Sequence, residues 1–118
     1  MPQKPKNYDL EERTAKFGEL VIAFCKESPH NTITRPLITQ LIKSATSIGA
    51  NFCEADDAES PRDFKHKIGI CKKESRETKH FLRMLATATP ENKEKISKFW
   101  LEAKELNLIF NAIYRKLK

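Results

Sequence analysis

Two residues of the sequence have the spacing of a metal site. Glu77 and His80 stand three positions apart, the Glu-x-x-His spacing that di-iron helical bundles use, and Glu54 and Glu74 offer further carboxylates. Such sites need a second motif, and the other match, from Glu27 to His30, contains a proline that interrupts a helix. We therefore predict no metal site and no other cofactor.

Sequence signals of enzymatic chemistry are also missing. Ser47 has no strained nucleophile turn around it, and the three glycines stand too far apart to form a phosphate-binding loop. Cys25, Cys53 and Cys71 stand alone, without a second cysteine at metal or redox spacing. We predict that the protein is not an enzyme and that its thiols are reduced and lie in or near the core, which indicates the cytoplasm.

The chemistry that the sequence favours is electrostatic. The chain has 22 Lys and Arg against 16 Asp and Glu, a net charge of +6, and the positive charge is concentrated in residues 61–88. Five of these cations fall on one side of a helix, a set that we call the basic row: Lys65, Lys72, Arg76, Lys79 and Arg83.

Such a row suits a phosphate backbone, so we predict that these five residues bind nucleic acid. The alternative is an ordinary solvated face. No aromatic residues are interleaved with the row, and no helix-turn-helix or RNA-binding signature is present, so sequence-specific readout is not expected.

Four amphipathic helices are predicted to position these residues. Asp9 followed by Glu12 predicts one N-cap, and Ser60-Pro61 and Thr89-Pro90 predict two more. Apolar residues recur at steps of three and four, as in the seam of a left-handed bundle. The predicted helices span residues 9–28, 35–57, 61–88 and 90–118.

Short loops between long helices make neighbouring helices antiparallel. The length of 118 residues suits one domain, and only 3 Gly with 32% charged residues argue against a β-sandwich. The prediction is an all-α, single-domain, antiparallel up-down-up-down four-helix bundle over residues 9–118, after a flexible basic N-terminus, residues 1–8. No signal peptide or membrane span is expected, because charges interrupt every apolar stretch of sufficient length.

Helix 2 contains an unusual charge-free segment, Ser44 to Cys53. Beside its apolar face runs a row of small polar residues that we call the polar stripe: Gln40, Ser44, Ser47, Asn51 and Glu54. The stripe fits a polar network buried within the monomer, a surface covered by another subunit, or an exposed face that has few charges by chance.

Helix 3 favours the second alternative, because apolar residues extend beyond its seam and a small soluble domain seldom exposes them without a partner. We predict homo-oligomerisation through helices 2 and 3. The residues assigned to the subunit interface or buried polar network are Ser44, Ser47, Ala50, Asn51, Glu54, Ile70, Glu74, Glu77, Phe81 and Met84.

The segments 41–55 and 63–85 resemble the bacterial four-helix-bundle proteins that are encoded in intervening sequences of 23S ribosomal RNA genes. The most specific parts are the Ser-Ile-x-x-Asn-x-x-Glu pattern from Ser47 to Glu54 and the pair Glu74 and Glu77; Phe81-Leu82 replaces a frequent Trp-Leu step. The resemblance implies a cytoplasmic, ring-shaped homopentamer of poorly defined role. A more distant resemblance to accessory proteins of diversity-generating retroelements implies contact with nucleic acid or a nucleoprotein.

Residues and resemblance together predict a non-enzymatic homo-oligomer that binds RNA, DNA or a nucleoprotein through repeated basic surfaces. Repetition matters because several weak cationic patches can bind one polyanion with high avidity. The alternative is a structural or protein-interaction oligomer with no nucleic-acid role.

Overall fold

The computed structural model describes the chain from residue 6 to residue 118, with side chains from Leu10 onward. Within this range the chain forms four helices and no strand, and neighbouring helices run antiparallel. The prediction of an all-α four-helix bundle is confirmed. The helices are α1 Lys6–Glu27, α2 Thr34–Asp56, α3 Pro61–Ala88 and α4 Lys93–Lys116, with a 3-10 turn Pro90–Asn92 before α4.

The start of α1 differs from the prediction. The helix begins at Lys6, so Asp9 lies inside it and the N-cap predicted there is wrong. No proline or glycine stands between residues 6 and 9 to stop the helix from extending backwards. Of the predicted flexible N-terminus, residues 1–5 lie outside the described residues and residues 6–8 belong to α1.

The two predicted serine and threonine caps behave differently. The Ser60 side chain accepts a hydrogen bond from the Asp63 amide at 3.0 Å, which confirms the predicted start of α3. The Thr89 hydroxyl instead donates back to the carbonyl of Leu85 at 2.8 Å, at the C-terminus of α3, and does not cap the following helix. A 3-10 turn follows, and α4 begins at Lys93 rather than at Pro90.

The apolar seams meet in one core around α3, which packs extensively against both α2 and α4, while α1 packs mainly against α2. Leu20 shares the helical spacing of the apolar residues Phe17, Val21 and Phe24, but it is 46% exposed because it lines a groove between α1 and α4 rather than the core. No described helix is both long enough and apolar enough to cross a bilayer. The largest fully buried apolar side chains are Phe110, Leu41, Ile48, Ile68, Leu82, Leu85, Ile96, Leu106 and Val21.

The bundle is flattened, with Cα extents of 44 × 32 × 19 Å. Long side chains bridge α1 and α4: the Phe99 ring lies 6.4 Å from that of Phe17 and 5.3 Å from that of Phe24. The Arg13 guanidinium donates to both carboxylate oxygens of Glu102, at 2.7 and 2.8 Å. α1 and α4 therefore meet through side-chain tips, not through closely packed backbones.

The α1 and α2 backbones, by contrast, approach closely at one glycine. A Cβ atom placed on Gly49 would lie 3.2 Å from Oγ1 and 3.4 Å from the carbonyl carbon of Thr14. The Thr14 hydroxyl is itself fixed, because it donates to the carbonyl of Leu10 at 2.7 Å. A Cβ atom placed on Gly18 would lie 3.7 Å from Thr46, which is an ordinary van der Waals contact. The close packing of α1 on α2 thus depends on Gly49.

Polar side chains also join neighbouring helices within the core. The Thr78 hydroxyl of α3 donates to the Ser44 hydroxyl of α2 at 3.0 Å. The Asn107 side-chain amide of α4 donates to the Ser75 hydroxyl at 3.0 Å and to the Lys72 carbonyl at 2.9 Å. Every buried side-chain nitrogen and oxygen of the described residues has a partner, so these contacts help to set the register of α3 between its neighbours.

The three cysteines carry free thiols, but they do not share one environment. Cys25 and Cys71 are buried as predicted, and burial raises the pKa of their thiols to about 11 and about 12. Cys53 is exposed, which corrects its predicted place in or near the core. Partial burial and the nearby carboxylate of Glu11 also raise the pKa of the Cys53 thiol.

A thiol reagent at about pH 7.5 should therefore modify one cysteine per native chain, the exposed Cys53, and all three after unfolding, because burial keeps the reagent from the other two thiols and suppresses the reactive thiolate. Cys53→Ser should abolish the native reaction and leave two reactive thiols in denaturant. Mass spectrometry of the labelled protein measures both values. Native modification of Cys25 or Cys71 would contradict the burial described here.

Candidate nucleic-acid interface

The basic row faces α4 across an open groove of about 390 Å³. Lys72, Arg76 and Lys79 of the predicted row line the groove, together with Lys73, which does not belong to the predicted row. We call this feature the α3–α4 groove; it is lined by Gly69, Lys72, Lys73, Arg76, Lys79, Asn107, Asn111 and Tyr114.

The other two members of the row are placed differently. Lys65 is half-buried at one end of the groove, where its Nζ lies 5.2 Å from the centre of the Tyr114 ring. Arg83 is exposed and lies one helical turn beyond Lys79, outside the groove lining. The structure thus places three of the five predicted residues in the groove lining, with Lys65 against the Tyr114 ring at one end and Arg83 beyond the other end.

Aromatic residues of α4 lie against the basic row, contrary to the prediction from α3 alone. Lys72 Nζ lies 4.6 Å from the centre of the Tyr114 ring, and Lys79 Nζ lies 5.8 Å from the centre of the Trp100 ring. Lys104 of α4 also approaches Trp100, at 5.7 Å. These are cation–π distances, so the rings help to hold the ammonium groups along the groove.

A matching repeat on the two helices explains this arrangement. Residues 65, 72 and 79 of α3 are lysines seven positions apart, and residues 100, 107 and 114 of α4 are Trp, Asn and Tyr at the same spacing. In an antiparallel pair these repeats face each other over four turns. Trp100 and Tyr114 are separated by two steps of seven residues, and this spacing is the sequence signal that could have identified the aromatic side of the groove.

Hydrogen bonds fix the floor of the groove. Asn107 is buried and anchors α4 to α3 through its bond to the Lys72 carbonyl. The Asn111 side chain donates to the carbonyl and side-chain oxygens of Asn107, at 3.0 and 3.2 Å. The backbone at Lys72 is therefore held in place before any ligand binds.

Among the side chains that the structure describes, from Leu10 onward, no carboxylate forms an ion pair with a groove cation. Ion pairs of the described residues involve Arg13 and Lys67, and none involves a cation of the basic row. Several like charges on one face without carboxylate partners produce a positive potential that attracts anions. The groove can therefore bind phosphate groups without first breaking an internal ion pair.

The polar stripe divides into an internal and an external part. Ser44, only 2% exposed, contacts Thr78 and belongs to the polar network of the monomer. Ser47 and Asn51 are half-buried and bond within α2, to the carbonyls of Lys43 and Ser47. Glu54 is exposed and pairs with Lys67 of α3 at 2.6 Å.

The other predicted interface residues lie on the outer surface of α2 and α3. Ala50 is exposed at the rim of the α1–α2 groove, apart from the α3 residues. Ile70, Phe81 and Met84 are half-buried along α3, as are Glu74 and Glu77. The monomer thus leaves three large apolar side chains and two carboxylates only partly covered.

Glu74 is electrostatically disfavoured in this position. Burial, followed by the negative charge of Glu77, raises the pKa of the Glu74 carboxyl, while Lys73 and Lys43 oppose the shift. A carboxyl with a raised pKa in the folded protein favours folding when protonated. Its favourable contribution is present below the usual pKa of glutamate and is lost as pH rises through the raised value.

Glu74→Gln should therefore raise the midpoint of thermal unfolding at about pH 7.5 by about 1–2 °C. The gain should shrink at about pH 4, where the native carboxyl is also largely neutral. Circular dichroism melting at the two pH values measures the effect, with the exposed Glu91→Gln as control. A lower midpoint for Glu74→Gln at the higher pH would contradict this account.

The residues considered for catalysis or metal binding do not converge on a site. His80 is exposed, and its ring lies against that of Phe81, with centres 5.2 Å apart. The described part of the chain contains no group of three or more His, Cys, Asp and Glu side chains that could hold a metal ion. The Ser47 hydroxyl is occupied by its hydrogen bond to the Lys43 carbonyl.

The molecule is similar to known proteins in both sequence and fold. Residues 6–112 match the family described as 23S rRNA-intervening sequence protein. A solved structure of a protein with unknown function from the S23 ribosomal protein family of Bacteroides thetaiotaomicron matches with a TM-score of 0.80 and 25% sequence identity. That match covers 94% of this chain and 99% of the other. No curated protein matches the sequence.

Proposed function

Starting from the fact that the chain belongs to the 23S rRNA-intervening sequence protein family, we propose that it is a non-enzymatic, cytoplasmic homo-oligomer that binds nucleic acid through the basic row and the α3–α4 groove. The resemblance read from residues 41–55 and 63–85 is thereby confirmed at the level of the family. Function needs separate support, because a fold does not determine what a protein binds.

The clustering of groove cations without carboxylate partners is the observation that supports the nucleic-acid role. Lys72, Lys73, Arg76 and Lys79 line one groove, and none pairs with an acidic side chain of the described residues. A nucleic-acid backbone supplies negative charges at regular intervals and releases counterions when cations replace them. The groove therefore suits a polyanion better than a single small anion.

Assembly into a homo-oligomer, in which the family resemblance implies five subunits, is the second part of the proposal. It is supported by the partly covered Ile70, Phe81 and Met84 on α3 and by the uncharged outer surface of α2 around Ser47 and Ala50. Burying such surface is favourable, since apolar area leaves water. An assembly would also repeat the α3–α4 groove and increase avidity for one polyanion.

The nucleic-acid role is tested by binding of fluorescein-labelled oligonucleotides over a range of salt concentrations. We expect affinity to fall steeply with salt, and Arg76→Glu with Arg83→Glu to weaken binding roughly tenfold or more and to lower the salt slope by about two. Both arginines are exposed and form no described ion pair, so the bundle should remain folded.

A matched control is Lys26→Glu with Lys95→Glu, which changes the net charge equally at exposed positions of α1 and α4. The control should bind nearly as tightly as the unaltered protein. Equal loss in both double variants would mean that only net charge matters, and unchanged binding of the arginine variant would remove the basic row from the proposal.

A structural or protein-interaction oligomer is the second candidate function. The half-buried apolar side chains of α3 favour it, because they suit a protein partner and not a phosphate backbone. An oligomer that binds no nucleic acid even at low salt would support this candidate.

A further inference from the structure

An aromatic ring of α4 lies beside lysines at each end of the α3–α4 groove. At one end the ammonium groups of Lys65 and Lys72 both lie near the Tyr114 ring. At the other end the ammonium groups of Lys79 and Lys104 lie near the Trp100 ring. Both rings pack partly on the core and remain half-exposed. Tyr114 therefore lines the groove itself, and Trp100 lies beside the end of the groove that Lys79 lines.

The spacing of the rings suits a strand that runs along the helices. Trp100 and Tyr114 are 14 positions apart on α4, which corresponds to roughly 21 Å along the helix axis. Between the two rings the groove is lined by polar side chains, Asn107 and Asn111 from α4 and Arg76 from α3. A ligand that spans the groove would meet an aromatic ring, then amides and cations, then a second ring.

Glycine makes room for one of the rings. A Cβ on Gly69 would lie 3.2 Å from Cε1 of Tyr114, so the ring edge rests directly on the α3 backbone. The absence of a side chain at Gly69 lets the ring lie close to α3, beside Lys65 and Lys72. The aromatic side of the groove is thus held by the packing of the bundle.

We propose that the α3–α4 groove selects single-stranded nucleic acid, with phosphates bound by Lys65, Lys72 and Lys79 and unpaired bases stacked on Tyr114 and Trp100. This inference rests on the proposed nucleic-acid function and deepens it. Proteins that bind single strands without sequence preference combine a positively charged groove with aromatic platforms. Both components occur here on facing repeats of two helices.

Competition for the lysines explains how the rings become available. In the free protein the ammonium groups lie 4.6 to 5.8 Å from the ring centres, at the tips of long side chains. A phosphate attracts an ammonium group more strongly than an aromatic face does. When lysines turn towards phosphates, the ring faces are uncovered and a base can replace the cation.

A duplex lacks one half of this interaction. It offers phosphates to the lysines, but its base faces are already stacked on one another and cannot cover a protein ring. Charge alone would make the groove bind both forms. Stacking therefore predicts a preference for the single strand at equal salt.

The first experiment uses Trp100, the single tryptophan of the chain, as a reporter. The full-length protein is titrated with 15-nucleotide oligo(dT), oligo(U) and a DNA duplex of the same length, each at matched salt. We expect either single strand to quench the tryptophan emission and to bind at least about tenfold more tightly than the duplex. Equal affinity for single strand and duplex would overturn the inference.

The second experiment removes a ring without removing charge. Tyr114→Leu should weaken oligo(dT) or oligo(U) binding about tenfold and leave the salt slope unchanged, while Tyr114→Phe should bind normally. Leu108→Ala, at an exposed apolar position of α4, is the matched control. If Tyr114→Leu does not fold, Trp100→Leu with a labelled strand gives the same test. Unchanged affinity in a folded ring variant would overturn the inference.

Failure of the inference can be distinguished from failure of the proposed function. If the arginine double variant loses salt-dependent binding but neither strandedness nor Tyr114 matters, the groove binds phosphates only and this inference alone is wrong. If the unaltered protein binds no nucleic acid at any salt concentration, both the proposed function and the inference are wrong.

Discussion

Gly49→Leu should lower the free energy of unfolding by about 2–3 kcal/mol, because the new side chain has no space between α1 and α2. Its Cβ alone would reach 3.2 Å from the Thr14 hydroxyl and 3.4 Å from backbone of α1, which cannot turn aside as a flexible side chain could. The helices would have to separate along their contact. Urea unfolding followed by circular dichroism measures the loss.

The matched control is Gly18→Ala, on the facing helix. Its Cβ would meet Thr46 at an ordinary 3.7 Å, and alanine favours the helix over glycine by roughly 0.5–1 kcal/mol. We therefore expect Gly18→Ala to unfold at a higher urea concentration than the unaltered protein. A Gly49→Leu protein as stable as this control would show that the α1–α2 contact is looser than described.

Ala50→Arg should convert the proposed assembly into monomers without unfolding the bundle. Ala50 is exposed in the monomer, so an arginine there can extend into water. In a subunit interface the same guanidinium would lose water without a prepared partner, which costs several kcal/mol per site. Because the substitution repeats in every subunit, its effect on assembly is multiplied.

Light scattering on a sizing column measures this effect. The unaltered protein should have about five times the chain mass of 13.6 kDa, and Ala50→Arg should have the mass of one chain with the same circular dichroism spectrum. Ala23→Arg, at an exposed alanine of α1, is the control and should remain assembled. An unaltered protein that elutes as a monomer would end the assembly proposal, and an assembled Ala50→Arg would relocate the interface.

The architecture was predictable because its signals are local. The Ser60-Pro61 start of α3 depends on a hydrogen bond within four residues, and the buried seam from Ile68 to Leu85 follows from helical spacing alone. Thr89 shows the limit of such local signals. The pair Thr89-Pro90 also resembles a helix start, but the Thr89 hydroxyl donates to the preceding carbonyl of Leu85 instead.

The candidate site was only half predictable. The lysines of the basic row lie on one helix, so their spacing revealed them. Trp100 and Tyr114 lie on another helix, and their position beside the row depends on how α3 and α4 pair, which the buried contact between Asn107 and Ser75 helps to set. Helix rotation likewise decides that Ser44 lies in the core while Ala50 lies at the surface, although both belong to the same charge-free segment.

The limited contact between α1 and α4 has a consequence for how the chain acquires its structure. The extensive helix contacts join α1 to α2, α2 to α3 and α3 to α4, all neighbours along the chain. Contact order is therefore low, little loop-closure entropy is lost at each step, and such helical proteins fold rapidly. Each new helix can pack against the preceding helix during synthesis, because little of the packing depends on contact between α1 and α4.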